Sequence, residues 1–312
     1  MAVDHALLEA HSSFVDHSLG IRETFVSLEV GGGRTVGVLS EPLENRRDTG
    51  WLLCHSFGVE YVTLLLTEVA IARRTAAAGF PVLRFACQGY GDSSDINAHP
   101  SPSTHLRDTQ DALEEMRRIT GLTDIGTVGA RFGGTVAALI ADRNDLERTI
   151  LIAPEVSGKA FAKELLRSAV FHDIAGPGDA QEVSMDELRA ELASVGEVNI
   201  KGFTLTGAMV DELNGIDLAT DTERFHGDAL ILQISRTDRP QRSLTKLNER
   251  LTAVGATSSI DVVTDRLASH FGNQHVGWIS SDVIGDQLSD LIDRVVTDAV
   301  TWAVAAAEGG NR

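Results

Sequence analysis

Residues 127–139 read TVGARFGGTVAAL, the outline of a buried strand, a sharp glycine turn and a helix. Gly129, Gly133 and Gly134 supply the small neighbours that such a turn needs. Arg131 stands at its apex, so we expect its side chain to point into a pocket above the sheet, near the helix N-terminus. A guanidinium there would form an anion receptor for a carboxylate or an enolate. The alternative is an inactive site in which Arg131 points out to solvent or pairs with a nearby acid of the protein.

On both sides of this stretch, short apolar strands alternate with helices. Strands are predicted at 23–30, 34–40, 51–54, 82–86, 125–128, 149–153, 229–234 and 259–263. Helices are predicted at 62–78, 104–119, 134–141, 244–254 and 282–307. This alternation predicts an α/β fold, with a mostly parallel twisted sheet and helices on both faces.

Residues 156–225 interrupt the alternation and are richer in helix, with helices predicted at 159–170, 185–194 and 206–214. We therefore expect a core formed by residues 1–155 and 226–312, and a helical cap inserted at 156–225. Ligands of parallel sheets bind at the C-terminal ends of the strands, so the cap is expected to cover the site.

The composition excludes several classes of function. A net charge of −18 argues against nucleic acid or an anionic membrane as a partner. No run of about 18 apolar residues predicts a membrane span, and the N-terminus has no signal-peptide pattern. The two cysteines, Cys54 and Cys87, fit a reducing cytoplasm. No histidine or cysteine spacing indicates a metal site, and no motif indicates a cofactor. We expect a cytoplasmic protein that acts on a small molecule.

Five segments in order resemble the α/β-hydrolase superfamily: LLCHSFGVEY (52–61), AAAGFPVLRFACQGYGDSS (76–94), VGARFGG (128–134), ILQISRTD (231–238) and ASHFG (268–272). In that family the first segment supplies an oxyanion-hole amide and the third is the nucleophile elbow, written G-x-S-x-G in active members. The resemblance covers residues 23–155 and 226–305, and it implies the α/β-hydrolase fold. Cap surfaces of such proteins can also form homodimers.

Within the superfamily, CHSFGVEY (54–61), VLRFACQGYGDS (82–93), APEVSGKAF (153–161) and IKGFTLT (200–206) resemble a subgroup related to the serine-aminopeptidase branch. Its members often lack the elbow serine and often belong to bacterial gene clusters for specialised metabolites or surface polysaccharides. In this chain Arg131 stands where the serine would be. The resemblance thus implies the fold without acyl-enzyme chemistry.

The resemblance also implies a catalytic pair. His270 lies 32 residues after Asp238, the spacing expected for strand-end acid, helix, strand and loop, and would be a general base held in one tautomer by Asp238. His275 is the competing base, and Glu155 at the end of strand 149–153 is the competing acid.

Other nucleophiles near the strand ends are Ser56, Cys54, Cys87 and Ser93. We expect the two cysteines to be small buried residues and Ser93 to stabilise its loop by local hydrogen bonds. Ser56 stays a candidate for a displaced nucleophile. The residues expected to contact substrate are Ser56, Phe57, Phe132, Glu60, Tyr61, Glu155 and His275.

Three functions remain open. In the first, His270 and Asp238 act as a general base while Arg131 holds an anionic group, which suits a lyase-type elimination or cleavage by water. In the second, a displaced nucleophile or an activated water hydrolyses an ester or thioester. In the third, the protein binds a carboxylate without catalysis.

Overall fold

A computed structural model describes residues 12–94, 100–173, 184–268, 271 and 282–309, with the backbone alone for 169–173 and 282–286. Its strands are β1 (Ser13–Asp16), β2 (Ile21–Val30), β3 (Gly33–Pro42), β4 (Thr49–Cys54), β5 (Val82–Phe85), β6 (Asp124–Ala130), β7 (Arg148–Ile152), β8 (Glu197–Ile200), β9 (Phe203–Thr206), β10 (Asp228–Ser235) and β11 (Thr257–Thr264). Nine of these form one sheet in the order β1-β2-β3-β5-β4-β6-β7-β10-β11. From β5 to β11 neighbouring strands run parallel, while β1, β2 and β3 form an antiparallel edge.

The central strands are buried on both faces because their side chains are nearly all apolar. All six residues of β4 are buried. Leu52 packs in one core cluster, whereas Trp51 and Leu53 pack in the other. Alternate residues of a strand point to opposite faces, so this division shows a core on each side of the sheet. The predicted fold class is confirmed.

The helices are α1 (Glu60–Thr63), α2 (Leu65–Ala77), α3 (Pro102–Thr120), α4 (Phe132–Asn144), α5 (Gly158–Asp173), α6 (Met185–Val195), α7 (Gly207–Asn214), α8 (Leu218–Asp221), α9 (Arg242–Val254) and α10 (Asp282–Ala307). One face of the sheet carries α3, α4 and α9, which bury Leu113, Val136 and Leu247. The other face carries α2 and α10, which bury Ile71 and Val295. No helix in the described part of the chain is long and apolar enough to cross a membrane.

Between β7 and β10 the chain forms an insertion that consists of α5, α6, β8, β9, α7 and α8. The sequence predicted its three longer helices but not the hairpin of β8 and β9. Lys201 and Gly202 form the hairpin turn with φ of 54° and 90°, the left-handed conformations of a two-residue turn. Strands of four residues are too short to show a clear alternating pattern. The insertion, predicted as helical, therefore also contains a β-hairpin.

The insertion packs directly over the turn between β6 and α4. Phe161 of α5 stacks on Phe132, with ring centroids 5.0 Å apart and planes inclined by 17°. Phe203 of β9 meets Phe57 edge to face at 5.2 Å. Phe57, Phe132 and Phe161 are fully buried. Aromatic packing therefore fixes the insertion above the C-terminal edge of the sheet.

Candidate active site

The turn between β6 and α4 has the geometry of a nucleophile elbow. Its apex, Arg131, has φ 54° and ψ −124°, a conformation that non-glycine residues rarely adopt. The amide of Arg131 donates to the carbonyl of Ile152 at 2.8 Å, and the amide of Gly134 donates to the carbonyl of Arg131 at 2.9 Å. A Cβ atom at Gly133 would lie 2.3 Å from the carbonyl oxygen of Cys54. Glycine is thus required where α4 approaches β4.

The guanidinium of Arg131 contacts three carboxylates. Nε donates to Oε1 of Glu60 at 3.0 Å, and Nη2 donates to Oε1 of Glu164, on α5, at 2.7 Å. Nη1 pairs with Oε1 of Glu155, just beyond β7. Only 16% of the Arg131 side chain is exposed. We call these four residues the elbow cluster.

Each of the three guanidinium nitrogens of Arg131 pairs with a carboxylate of the protein, so a substrate anion would compete with three glutamates for the guanidinium. That Arg131 binds an anion of the substrate stays a prediction. The structure shows its pairing with nearby acids. Burial alone would lower the pKa of Arg131, but the three carboxylates outweigh burial and raise it. The guanidinium is therefore a permanent cation.

The elbow cluster contains more carboxyl groups than its cation can neutralise. Burial raises the pKa of Glu60 to about 7; the charge of Arg131 opposes this shift, and the charge of Glu155 adds to it. Burial also raises the pKa of Glu155, against the opposing effect of Arg131. A carboxyl group with a raised pKa is a better proton acceptor once it is ionised, and such groups are typical of functional sites.

A cavity of about 270 Å³ lies beside the elbow cluster, at the C-terminal ends of β7 and β10. Two charged residues line it, Arg131 and Glu155, among the residues that the structure describes. The other lining residues are Ala153, Pro154, Val156, Ser157, Ala160, Gln233, Ile234, Gln241, Ser243, Leu244, Ala268 and Phe271. Ligands of parallel α/β sheets bind at this edge. Glu155, predicted as a substrate contact and as the rival acid, thus lies at the cavity.

A second buried polar cluster surrounds the loop after β4. Nδ1 of His55 lies 2.5 Å from Oε2 of Glu68, and the amide of Ser56 donates to Oε1 of Glu68 at 3.4 Å. Nε2 of His105 donates to the carbonyl oxygen of His55 at 2.9 Å. Burial lowers the pKa of His105 to about 4, so its imidazole is neutral at pH 7. We call these four residues the loop cluster.

The hydroxyl of Ser56 joins the loop cluster to the elbow. It donates to the carbonyl of Ala130 at 2.5 Å and accepts from the amide of Gly133 at 3.3 Å. Ser56 is fully buried and does not line the cavity. Its side chain therefore stabilises the turn, and its predicted roles in nucleophilic attack and substrate binding need correction.

The other side chains considered as nucleophiles are also buried. Burial raises the pKa values of Cys54 and Cys87 well above that of a free thiol, which disfavours their thiolates. The hydroxyl of Ser93 accepts a hydrogen bond from the amide of Gly89 at 3.0 Å. None of the three lines the cavity.

Two aromatic residues expected to bind substrate instead pack inside the protein. Phe57 and Phe132 are fully buried, with ring centroids 5.5 Å apart. Tyr61, another predicted contact, packs against Tyr90 at 4.8 Å and is absent from the described cavity lining. Glu60, predicted at the pocket mouth, is 2% exposed. Phe57 and Phe132 are covered by Phe203 and Phe161 of the insertion, so they support the site from below rather than line the cavity.

The predicted catalytic pair is only partly described. His270 and His275 lie outside the described residues, although Ala268 and Phe271, on either side of His270 in the sequence, both line the cavity. Asp238 is exposed, lies outside the described cavity lining and forms no hydrogen bond or ion pair with another described residue. Of the two acids weighed from the sequence, the structure brings Glu155 to the cavity.

Sequence reasoning missed Glu164 and most of the loop cluster. Glu164 is half exposed on α5, where a glutamate is ordinary, so no sequence signal marks it. Glu68 did carry a signal, because it lies one helical turn from the buried Leu64 and Ile71 on the apolar side of its helix. A charged residue in that position indicates a buried partner.

Metal binding finds no support in the described part of the chain, which holds no group of three or more histidine, cysteine, aspartate or glutamate side chains suited to an ion. In the elbow cluster the centre is occupied by the guanidinium of Arg131. The carboxylates there are therefore arranged around a protein cation.

Comparisons with known proteins identify the fold. No family model matches the chain, and no curated protein matches it. Several solved structures do match the chain. An esterase from Pyrococcus furiosus has a TM-score of 0.56 at 13% identity, covering 89% of this chain and 94% of its own. Carboxyl esterase 2 from Tuber melanosporum has a TM-score of 0.53 at 16% identity, with coverage of 96% and 89%.

Est1E from Butyrivibrio proteoclasticus, solved with ferulic acid bound, has a TM-score of 0.52 at 13% identity and covers 85% of this chain and 99% of its own. At such identities a structural likeness shows the fold alone, since one fold hosts many activities. The chain has the α/β-hydrolase fold, and the prediction from the five sequence segments is confirmed in that respect.

Proposed function

We propose that the protein is an enzyme that hydrolyses a small, uncharged acyl compound by direct attack of water, without an acyl-enzyme. The observation that carries this proposal is the elbow cluster. Arg131 takes the place of a nucleophile, and its partner Glu155 lines the cavity with a raised pKa. A carboxylate that lines a cavity and is held by a fixed cation can act as a general base on water.

The proposed reaction has one proton relay. Glu155 accepts a proton from the water that attacks the acyl carbon, and the resulting carboxyl group donates that proton to the leaving oxygen. Arg131 positions Glu155 through its Nη1 atom. His270, with Asp238, remains the competing base from the sequence, since its sequence neighbours Ala268 and Phe271 line the same cavity.

Hydrolysis suits the site better than the lyase-type elimination considered from the sequence. Elimination needed Arg131 to hold a departing carboxylate, and three glutamates now bind its nitrogens. An anionic substrate would also meet the surplus carboxyl groups of the elbow cluster. An uncharged ester avoids both problems.

The size and lining of the cavity support a small acyl substrate. A volume of about 270 Å³ lies near the lower end of the range for ligand pockets. Ile234, Leu244 and Phe271 provide apolar surface, and Gln241 and Ser243 provide polar surface. Esterases are also among the solved structures that share the fold. Because the sequence resembles the subgroup that lacks the elbow serine, we propose that the natural substrate is a specialised metabolite.

The test is turnover of a panel of uncharged aryl and alkyl esters in ¹⁸O-labelled water. We expect the acid product to contain one ¹⁸O atom and a fluorophosphonate probe to leave the protein unlabelled. Glu155→Gln should lower kcat/KM by about 100-fold, the usual effect of losing a general base. The control Glu191→Gln, an exposed carboxylate on α6 outside the cluster, should leave kcat/KM unchanged.

Other outcomes would assign other functions. Product acid without ¹⁸O would indicate elimination, and inhibition by the fluorophosphonate would indicate a hidden nucleophile. If His270→Ala abolishes turnover while Glu155→Gln does not, the base is His270. Ligand binding without any turnover would indicate a binding protein.

A further inference from the structure

The elbow cluster has an unbalanced set of charges. One guanidinium faces three carboxyl groups, so full ionisation would leave two uncompensated negative charges. Glu164 is 56% exposed, and water can solvate its charge. The side chains of Glu60 and Glu155 are only 3% and 12% exposed. The imbalance therefore falls on the two buried carboxyl groups.

Glu60 is the less well solvated of the two. Its Oε1 accepts from Nε of Arg131, but its Oε2 is buried and has no hydrogen-bond partner among the described residues. Burying a negative charge on an oxygen that accepts no hydrogen bond costs much free energy. Burying the neutral, protonated carboxyl group costs less, because only one hydrogen bond to water is lost. Glu155 faces the cavity instead, where water or a ligand can reach it.

We infer that Glu60 carries a proton in the active form of the protein and acts as a positioning residue, because its neutral form leaves Arg131 free to hold Glu155 as the ionised base. This inference rests on the proposed function of Glu155. When Glu60 loses the proton to solvent, it becomes a second full anion beside Arg131. It then competes for the guanidinium and opposes the negative charge that develops on the acyl oxygen.

The charged groups around Glu60 come from three parts of the fold. Arg131 belongs to the elbow, Glu155 follows β7, and Glu164 lies on α5. Arg131 favours ionisation of Glu60, while burial and the two other glutamates oppose it. Because burial and like charges prevail, the titration of Glu60 falls near pH 7.

The first experiment measures kcat/KM from pH 5.5 to 9 with an ester that the wild type hydrolyses. The wild-type value should fall about tenfold per pH unit once Glu60 ionises, as for loss of one essential proton. Glu60→Gln, which mimics the protonated form, should remove this alkaline decline. Glu191→Gln should retain it. An unchanged decline in Glu60→Gln overturns the inference.

The second experiment needs no substrate. Between the ordinary pKa of 4.5 and about 7, the folded protein keeps a proton on Glu60 that the unfolded chain releases. Stability contributed by this proton is therefore lost as pH rises through that window. The Tm of Glu60→Gln minus the Tm of the wild type should therefore increase by about 5 °C from pH 5 to pH 8.

The two experiments separate this inference from the proposed function. If the Tm difference between Glu60→Gln and the wild type stays constant from pH 5 to 8, Glu60 does not hold the proton, whatever Glu155→Gln does to turnover. If the Tm difference grows but Glu155→Gln keeps full activity, the proton is present and the assigned reaction is wrong.

Discussion

The loop cluster and the elbow cluster are neighbours that both contain buried glutamate, yet they differ in how many carboxyl groups share each partner. In the loop cluster, Glu68 pairs with His55 and accepts from the amide of Ser56, and none of these residues lines the cavity. In the elbow cluster, three carboxyl groups share Arg131, and Glu155 meets the cavity. Ser56 connects the two regions through the amide of Gly133.

The difference teaches how buried charge relates to function in this fold. A buried acid whose partners match it contributes to architecture, because its removal leaves donors unpaired. Buried acids in excess of their cation have raised pKa values and can exchange protons. We therefore expect variants of the loop cluster to affect stability at all pH values, and variants of the elbow cluster to affect it in a pH-dependent way.

The largest loss of stability is expected for Glu68→Gln. Glu68 is 1% exposed, and removal of one partner from a buried pair costs about 3 kcal/mol or more. Urea unfolding at pH 7 measures the loss. A loss below about 1 kcal/mol would place Glu68 with the exposed ion pairs and remove the distinction between the clusters.

A smaller and pH-dependent loss is expected for Arg131→Ala. Without the guanidinium, the pKa values of Glu60 and Glu155 rise further above their unfolded values, so the variant loses stability as pH increases. We expect a loss of about 2 kcal/mol at pH 8 and a smaller loss at pH 5. Unfolding curves at both pH values test this, and an equal loss at each would contradict the surplus of carboxyl groups.

The smallest effect is expected for Glu164→Gln. Glu164 is 56% exposed, and ion pairs of exposed residues contribute less than about 1 kcal/mol. Salt should screen even this contribution. If the unfolding free energy of the variant differs from the wild type equally at low and high salt, Glu164 is not held by charge.

Much of the fold could be predicted because its signals are local. The strand at 51–54 and the helix at 244–254 carry apolar patterns that tertiary contacts only reinforce, and the structure places β4 and α9 there. The hairpin of β8 and β9 escaped prediction because four-residue strands hold too little pattern. The α/β order itself followed from the alternation of elements.

The candidate site was harder to predict because its contacts are distant in sequence. The sequence located Arg131 at the elbow and Glu155 at a strand end, and both line the cavity. Their mutual pairing joins residues 60, 131, 155 and 164, which only the folded chain brings together. Burial also separates nearby residues from the cavity. Phe57 and Phe132 are covered by aromatic residues of the insertion, and Ser56 is buried against the elbow turn itself.

The elbow turn is held by backbone hydrogen bonds and by close approach at Gly133, and none of these contacts uses the side chain at position 131. The side chain at position 131 can consequently be exchanged without removing the contacts that hold the turn. A serine, cysteine or aspartate placed there would occupy the same point above a cavity that already exists. The scaffold thus offers designers one backbone on which different nucleophiles can be compared directly.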